Sequence, residues 1–261
     1  MIANNSQPIG IFDSGVGGLS VLREALKFLP EENYIYYGDT KNIPYGDKTV
    51  EELKIFTKNI LDYFKTKNVK AVLCACNTSS ANTLHILREY YDFKIFGLIE
   101  PTSDYVNSLQ ETRIGLIATQ ATVKSEAYKK AIEKSGKKLF SVACPKLVRL
   151  IESGKLLDEE TKQILASYLG ELEKENIEKL ILGCTHYPFL VPLMKTMGYK
   201  DDFFVNPAIC LIQDAYNYLK KNNLLNIKRT KDIEFFISAD KEDFMKKSKL
   251  FLDINSILIH N

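Results

Sequence analysis

The sequence predicts an α/β fold of two similar domains with mainly parallel sheets, and three observations lead to it. Short apolar runs rich in β-forming residues alternate with longer amphipathic stretches. This alternation is typical of parallel sheets whose two faces are covered by helices. The 261 residues, 45% of them hydrophobic, suffice for one large domain or two small ones. Two turns of related sequence, described below, favour two halves.

The strands are predicted first, because their ends locate the reactive residues. They are Ile9–Phe12, Tyr34–Tyr37, Val69–Ala75, Lys94–Ile99, Arg113–Ala118, Lys138–Ala143, Lys179–Leu182, Phe203–Asn206 and Ile233–Ser238. Apolar residues in Val50–Phe64 follow helical spacing, and Asp158–Lys174 and Ala208–Lys220 resemble that stretch.

Composition narrows the class of protein. A formal net charge of +2 gives no reason to expect a nucleic acid or an anionic membrane as partner. No apolar run approaches the ~18 residues of a membrane span, and the polar Met1–Pro8 is too short for a secretory signal. We therefore expect a cytoplasmic protein. Its five widely spaced cysteines do not form a disulfide framework.

Polar and reactive residues follow several of the predicted strands. In parallel sheets the loops at the carboxyl ends of strands hold the ligand, so these residues predict an active site. They are Asp13-Ser14-Gly15, Gly38-Asp39, Pro44-Tyr45-Gly46, Cys76-Asn77-Thr78, Thr119 with Thr122, and Cys184-Thr185-His186.

Two of these turns share one plan. The stretches 72–78 and 180–186 each contain a buried strand, a small residue, a cysteine and two polar residues. This suggests two halves that offer one cysteine each. We predict a first domain of residues 1–99 plus 209–261, which contains Cys76, and a second domain of residues 100–208, which contains Cys184.

Three kinds of chemistry are open to two cysteines in one cleft. A metal site built from Cys74, Cys76, Cys184 and His186 is disfavoured, because paired zinc ligands usually have two to four residues between them. Hydrolysis by a Cys184–His186 pair is a minor alternative, because residues two apart rarely make the required contact on a regular strand. The third is two-base proton transfer, in which one thiolate removes a proton from a carbon and the other thiol delivers one to the opposite face.

Two-base transfer requires a neighbour that takes or holds the proton of each cysteine, because the thiolate is the reactive form and a free thiol has a pKa near ~8.5. Asp13 and His186 are suitable residue types, and Glu152 follows an apolar stretch. No metal and no cofactor is expected. Cys74, Cys144 and Cys210 are expected to be packing residues.

The glycine-rich turn Asp13–Ser20 has two interpretations. It lies between a first strand and a first helix, as in dinucleotide-binding proteins. However, it lacks the final glycine of that motif, and Asp13 places a negative charge where a pyrophosphate would lie. The preferred interpretation is that Ser14 and the glycine amides hold a substrate carboxylate.

Taken together, the motifs resemble those of the glutamate racemases, within the cofactor-independent aspartate/glutamate racemase superfamily. The resemblance extends from Pro8 to about Pro207. Any one of the motifs is weak evidence alone, but their combination is specific to this family. The matching stretches are Ile11–Ser20, Tyr37–Thr40, Pro44–Gly46, Ala75–Thr78, Ile99–Pro101, Ala121–Ser125 and Leu182–Pro188.

The resemblance implies interconversion of L- and D-glutamate to supply D-glutamate for peptidoglycan and the cell wall. It implies two α/β domains with the site in the cleft between them, a homodimer, and catalysis in which Cys76 is the base for D-glutamate and Cys184 the base for L-glutamate. Polar residues that would assist the cysteines are Asp13, Glu152 and His186. Residues that would bind substrate are Asp13, Ser14, Tyr45, Gly46, Asn77, Thr78, Thr122, Thr185 and His186.

Two other hypotheses remain at this point. One is a related racemase that acts on aspartate or another amino acid. The other is a nucleotide- or protein-binding module without catalysis, against which the presence of both cysteines and both polar pairs argues.

Overall fold

A computed structural model describes residues 4–252 of the chain. In that range the strands form two sheets, and every strand pair in both sheets is parallel. The predicted α/β class with two parallel sheets is therefore confirmed. Parts of the predicted first domain, residues 1–3 and 253–261, lie outside the described residues.

The first sheet has five strands in the order β4-β3-β1-β2-β9. In the central strand every residue is buried, as expected for a strand with both faces covered. The strands are β1 (Ile9–Asp13), β2 (Tyr34–Gly38), β3 (Ala71–Cys74), β4 (Lys94–Phe96) and β9 (Glu234–Ile237).

The second sheet has four strands in the order β6-β5-β7-β8. Ala118 at the end of the central strand pairs with Ala143 on one side and Gly183 on the other, so three strands end level with one another. The strands are β5 (Arg113–Ala118), β6 (Lys138–Ala143), β7 (Lys179–Gly183) and β8 (Phe204–Val205). The predicted division into two domains stays a prediction.

Helices follow most of the strands and cover the sheets. They are α1 (Leu19–Phe28), α2 (Val50–Thr66), α3 (Asn77–Asn82), α4 (Leu84–Leu87), α5 (Ile99–Ser108), α6 (Gln120–Lys124), α7 (Ala127–Ile132), α8 (Leu147–Glu152), α9 (Glu159–Glu173), α10 (Val191–Thr196), α11 (Pro207–Lys221) and α12 (Lys241–Ser248).

One predicted element differs from the structure. The strand predicted over Lys94–Ile99 ends at Phe96, and Ile99 is already the first residue of α5. Pro101 lies in the first turn of that helix, where its missing N–H costs nothing. The apolar run is therefore a short strand followed by a helix start.

A buried apolar cluster connects the two sheets. It extends from Leu22 of α1 through Leu211 and Ile212 of α11 to Leu180 and Leu182 of β7. Each of these side chains is 0–1% exposed, and full burial of such a side chain stabilises the fold by about 1.5–3 kcal/mol. The core thus fixes the strand ends of both sheets relative to each other.

Candidate active site

The strand ends of the two sheets border one cavity of about 540 Å3. Small-molecule sites typically measure about 300–1,000 Å3. Most of the predicted site residues line this cavity, and Thr122 lies one hydrogen bond behind its wall. The lining residues among them are Asp13, Ser14, Tyr45, Gly46, Cys76, Asn77, Thr78, Glu152, Cys184, Thr185 and His186.

Cys76 enters the cavity from the first sheet. It lies two residues beyond the end of β3 and directly before α3, and it is 5% exposed. Burial and the nearby Asp13 charge raise the pKa of Cys76 to about 12, and the Ser79 amide offsets only part of this. At neutral pH the Cys76 thiol is therefore protonated and has a proton to donate.

Asp13, the last residue of β1, is the acid beside Cys76. The amides of Gly15 and Gly18 donate to its Oδ2 at 3.0 and 2.9 Å. Burial raises the pKa of Asp13 above its ordinary value, although the His186 charge and these amides oppose the shift. A buried carboxylate with a raised pKa is a stronger base than an exposed one, which suits an exchange of protons with the thiol.

The same hydrogen bonds correct one prediction. The glycine amides of this turn were expected to hold a substrate carboxylate together with Ser14, but Asp13 occupies the amides of Gly15 and Gly18. The reason is local: a buried carboxylate at the end of β1 takes the nearest backbone donors. Since these amides are engaged, they are not available to cradle a phosphate either.

The glycines of this turn allow the two halves of the site to approach closely. A Cβ on Gly17 would lie 2.4 Å from His186 Cε1 and 2.5 Å from Thr185 Oγ1. A Cβ on Gly18 would lie 2.4 Å from the Cβ of Asp13. The turn is therefore rich in glycine because its backbone passes directly against site residues.

Cys184 enters the cavity from the second sheet, one residue after β7, and is 7% exposed. Its Sγ lies 3.6 Å from Nδ1 of His186. Sequence reasoning disfavoured this contact because it assumed a regular strand. The strand ends at Gly183, however, and the turn that follows folds the histidine back onto the sulfur.

Glu152, the last residue of α8, holds the other side of the imidazole. Its Oε1 lies 3.0 Å from Nε2 of His186, and because a carboxylate only accepts, Nε2 carries the hydrogen. Burial lowers the pKa of His186, but the hydrogen bonds to Cys184 and Glu152 outweigh burial and raise it to about 10. Nδ1, the other ring nitrogen of His186, is therefore the atom that faces the Cys184 sulfur.

The ionisation of Glu152 follows from its two cationic neighbours. Burial disfavours the carboxylate, yet the hydrogen bond and charge of His186 and the charge of Lys247 outweigh that effect, so the pKa of Glu152 is lowered. Lys247 Nζ lies 3.2 Å from the second carboxylate oxygen, Oε2. The sequence contained no signal for this lysine.

Asn77 offers a donor to the cavity. The hydroxyl of Tyr128 donates to Asn77 Oδ1 at 2.7 Å. Asn77 Nδ2 is buried and has no hydrogen-bond partner among residues 4–252. A buried donor of this kind is costly unless it is paired, so its place on the cavity wall is typical of a ligand contact.

Three threonine hydroxyls cluster beside Asn77. Thr119 Oγ1 lies 2.9 Å from Oγ1 of both Thr78 and Thr122. Thr119 lines the cavity; it was predicted among the strand-end residues of the active site, but only Thr122 was assigned to substrate binding. Its position directly after β5 was a usable signal, because the other site residues follow strands in the same way.

The loop that carries Tyr45 and Gly46 covers part of the cavity. The Tyr45 hydroxyl donates to Asp39 Oδ2 at 2.6 Å, and Ser238 donates to Oδ1 at 2.8 Å. Asp39 thus fixes the loop to the end of β9. A Cβ on Gly46 would lie 3.2 Å from Thr119 Cβ, so this loop also packs closely against the second half.

A profile of known protein families matches residues 13–200, and its description is Asp/Glu/hydantoin racemase. The chain belongs to this family. The matched residues include both cavity cysteines and their acid and base neighbours. The predicted family and the predicted enzyme class, a racemase and therefore an isomerase, are confirmed.

Individual relatives in this racemase family match nearly the whole chain. A glutamate racemase of Caldanaerobacter subterraneus subsp. tengcongensis is 39% identical over 251 residues, which cover 95% of this chain and 94% of the relative. The crystal structure of a glutamate racemase isoform from Bacillus anthracis gives a TM-score of 0.89 at 32% identity, over 94% of each chain.

A second solved structure of the racemase family contains a ligand. It is the glutamate racemase of Francisella tularensis subsp. tularensis in complex with D-glutamate, with a TM-score of 0.87 and 32% identity. The match covers 95% of this chain and 94% of that one.

Among residues 4–252, no helix is long and apolar enough to cross a membrane. In the same range no group of three or more His, Cys, Asp or Glu side chains is arranged to hold a metal ion.

Proposed function

We propose that this racemase interconverts L- and D-glutamate by a cofactor-independent proton transfer between two cysteines. The observation that carries the proposal is the placement of Cys76 and Cys184 on one cavity, each with a different proton partner. Cys76 is beside the buried acid Asp13, and Cys184 contacts His186. Opposite-face transfer needs one base and one acid at the same time, and this pair supplies both.

In the direction from L- to D-glutamate, His186 takes the Cys184 proton and leaves a thiolate. The thiolate removes the α-proton, so the C–H bond breaks and an S–H bond forms. The α-carbon then takes the proton of the Cys76 thiol on its opposite face. The product is D-glutamate, with Cys184 protonated and Cys76 a thiolate.

The reverse direction uses the same groups in exchanged roles. Asp13 takes the proton of Cys76, whose thiolate removes the α-proton of D-glutamate, and Cys184 donates to the other face. Asp13 suits this role because burial raises its pKa, which makes its carboxylate a better proton acceptor. Cys76 is thus the proposed base for D-glutamate and Cys184 for L-glutamate.

Glutamate is the proposed substrate because the cavity offers donors for its carboxylates. Among residues 4–252 Asn77 Nδ2 has no hydrogen-bond partner, and Thr78 and Thr119, whose hydroxyls lie 2.9 Å apart, line the same cavity as Asn77. Ser14 and Thr185 line the same cavity. The relatives that match along nearly the whole chain are glutamate racemases, and one of them is in complex with D-glutamate.

Further parts of the proposal concern the setting of the reaction. We propose that D-glutamate supplies peptidoglycan synthesis in the cytoplasm and that the protein is a homodimer. We also propose two domains, of residues 1–99 plus 209–261 and of residues 100–208, with the cavity between them. Sedimentation of the purified protein tests the dimer.

Circular dichroism of D- and L-glutamate with purified protein tests the activity directly. We expect the optical signal of either enantiomer to decay to zero, with activity that survives chelators and needs no added pyridoxal phosphate. In deuterated water, early product should carry deuterium at the α-carbon. A clear kinetic preference for aspartate would overturn the choice of substrate.

Cysteine variants test the mechanism. Cys76→Ala and Cys184→Ala should each abolish racemisation, because inversion requires acid and base together. Conversion of either cysteine to serine should leave weak activity at most, because a hydroxyl is a far weaker acid than a thiol. Full activity in Cys184→Ala would falsify the two-base mechanism.

A further inference from the structure

Helix α12 and the turn after it reach from the first sheet to the proton partners of Cys184. Its Phe244 is buried, and the Phe244 and Tyr36 ring centroids lie 6.0 Å apart over the first sheet. Lys247 lies three residues later, on the same face of the helix, and Phe251 lies in the turn that follows the helix. Helix α12 and this turn thus contact both the first sheet and the site residues of the second half.

Two contacts join α12 and the turn after it to the site. Lys247 Nζ lies 3.2 Å from Glu152 Oε2, across 95 residues of sequence. The Phe251 ring meets the His186 ring edge to face, with centroids 5.6 Å apart and planes at 88°. One side chain therefore holds the carboxylate that binds the imidazole, and the other packs against the imidazole itself.

The geometry of Glu152 explains why the lysine matters. One carboxylate oxygen accepts from His186 Nε2 and the other faces the ammonium of Lys247. A carboxylate held at both oxygens has a fixed plane, and this plane sets the direction of the His186 ring. The ring direction in turn sets the contact between Nδ1 and the Cys184 sulfur.

We propose that Lys247 is a positioning residue for the Cys184 half of the reaction, acting through Glu152 and His186. This inference rests on the proposed function, because it assigns Lys247 to one of the two half-reactions. The charge of His186 acts on Asp13 and that of Cys184 acts on Cys76. Among residues 4–252, however, no hydrogen bond joins Cys76 or Asp13 to Lys247, Glu152 or His186. We therefore expect Lys247 to affect removal of the α-proton of L-glutamate by Cys184, and not removal of the α-proton of D-glutamate by Cys76.

A purely structural role for Lys247 is the competing explanation. Its ammonium also lies 2.7 Å from Asp243 Oδ2, one turn earlier on the same helix. Loss of a helix-surface pair of this kind would alter stability slightly and would affect both halves of the reaction alike. The experiment must therefore separate the two half-reactions.

Each half-reaction is measured as deuterium uptake at the α-carbon in deuterated water. In a Cys76→Ala background, Cys184 alone removes the proton of L-glutamate, exchanges it with solvent and returns a deuteron. In a Cys184→Ala background, Cys76 does the same with D-glutamate. Lys247→Met should slow the first exchange by roughly 3- to 10-fold and leave the second within about twofold.

Two further variants complete the design. Lys247→Arg retains the charge and should restore most of the L-glutamate exchange. Lys246→Met removes an exposed charge from the same helix and should change neither exchange. Equal slowing of both exchanges by Lys247→Met, or slowing of neither, would overturn the inference.

Alkylation of the cysteines provides a readout that does not need turnover. Iodoacetamide reacts with the thiolate, and peptide mass spectrometry follows Cys184 and Cys76 separately. Lys247→Met should slow labelling of Cys184 at pH 7 by roughly threefold and leave Cys76 unchanged. If neither cysteine background exchanges deuterium, the two-base proposal fails, and this labelling still decides the role of Lys247: an unchanged Cys184 rate refutes it.

Discussion

Replacement of Gly17 by alanine perturbs the closest approach between the two halves of the site. The added Cβ would lie 2.4 Å from His186 Cε1, 2.5 Å from His186 Nδ1 and 2.5 Å from Thr185 Oγ1. Ordinary contacts of a Cβ begin at 3.4 Å. The turn or the imidazole must therefore move by about 1 Å to restore normal packing.

The size of the effect follows from that displacement. The displaced ring carries the Nδ1 atom that contacts the Cys184 sulfur, and a misplacement of about 1 Å costs on the order of 100-fold in rate. We expect Gly17→Ala to lower kcat/KM for glutamate by about this factor, which corresponds to about 2.7 kcal/mol. The loss should appear mainly in kcat, because the ring acts on the proton transfer.

Circular dichroism of glutamate racemisation measures this loss, with thermal unfolding in parallel. Gly170→Ala is the matched control, because a Cβ at Gly170 in α9 meets nothing within 4 Å. That variant should keep full activity and gain up to about 1 kcal/mol in stability from helix propensity. If Gly17→Ala keeps more than about a third of the activity in a folded protein, the close-approach reasoning is wrong.

Three other predictions follow from single contacts. Lys70→Met breaks the buried 2.5 Å ion pair with Glu32, and urea unfolding should show a loss of about 3–5 kcal/mol, because one charge is left buried alone. The pKa of His186 is raised to about 10 in the folded protein, against about 6.5 in an unfolded chain. Protonation of His186 therefore stabilises the fold fully below pH ~6.5, and the free energy of unfolding should fall as the pH rises towards 10. His186→Gln should abolish this pH dependence. Tyr45→Phe removes the 2.6 Å bond to Asp39 and should raise KM roughly tenfold, with little change in the thermal midpoint because two other side chains still donate to that carboxylate.

The fold was largely predictable because its elements carry local signals. The strands read as short apolar runs, and α2 begins with a capping box of Thr49 and Glu52, a recognisable start signal. The misassigned stretch was Lys94–Ile99, where apolar character continues across a strand end and a helix start. Apolar runs of this length do not distinguish the two, and Pro101 was the signal that did.

The candidate site was predictable where its residues follow strands and not where they come from other elements. Asp13, Cys76 and Cys184 stand at or just after strand ends that parallel register aligns. Lys247 lies on a helix 95 residues away from Glu152, and nothing in the local sequence marks it. The role of the Gly15 and Gly18 amides was predicted wrongly, because the sequence does not indicate which acceptor a backbone donor binds.

The two cysteines resemble each other in sequence context but differ in their chemical surroundings, and this difference decides the resting state. Burial and Asp13 hold the Cys76 proton on sulfur, with a pKa of about 12. At Cys184 the Nδ1 atom of His186, whose pKa is raised to about 10, lies 3.6 Å from the sulfur. In the proposed mechanism Cys76 is therefore the acid and Cys184 the base when the α-proton of L-glutamate is removed. The opposite direction needs two further proton transfers, one from Cys76 towards Asp13 and one from His186 to Cys184. Labelling of both cysteines without substrate should accordingly favour Cys184, and faster labelling of Cys76 would contradict this assignment.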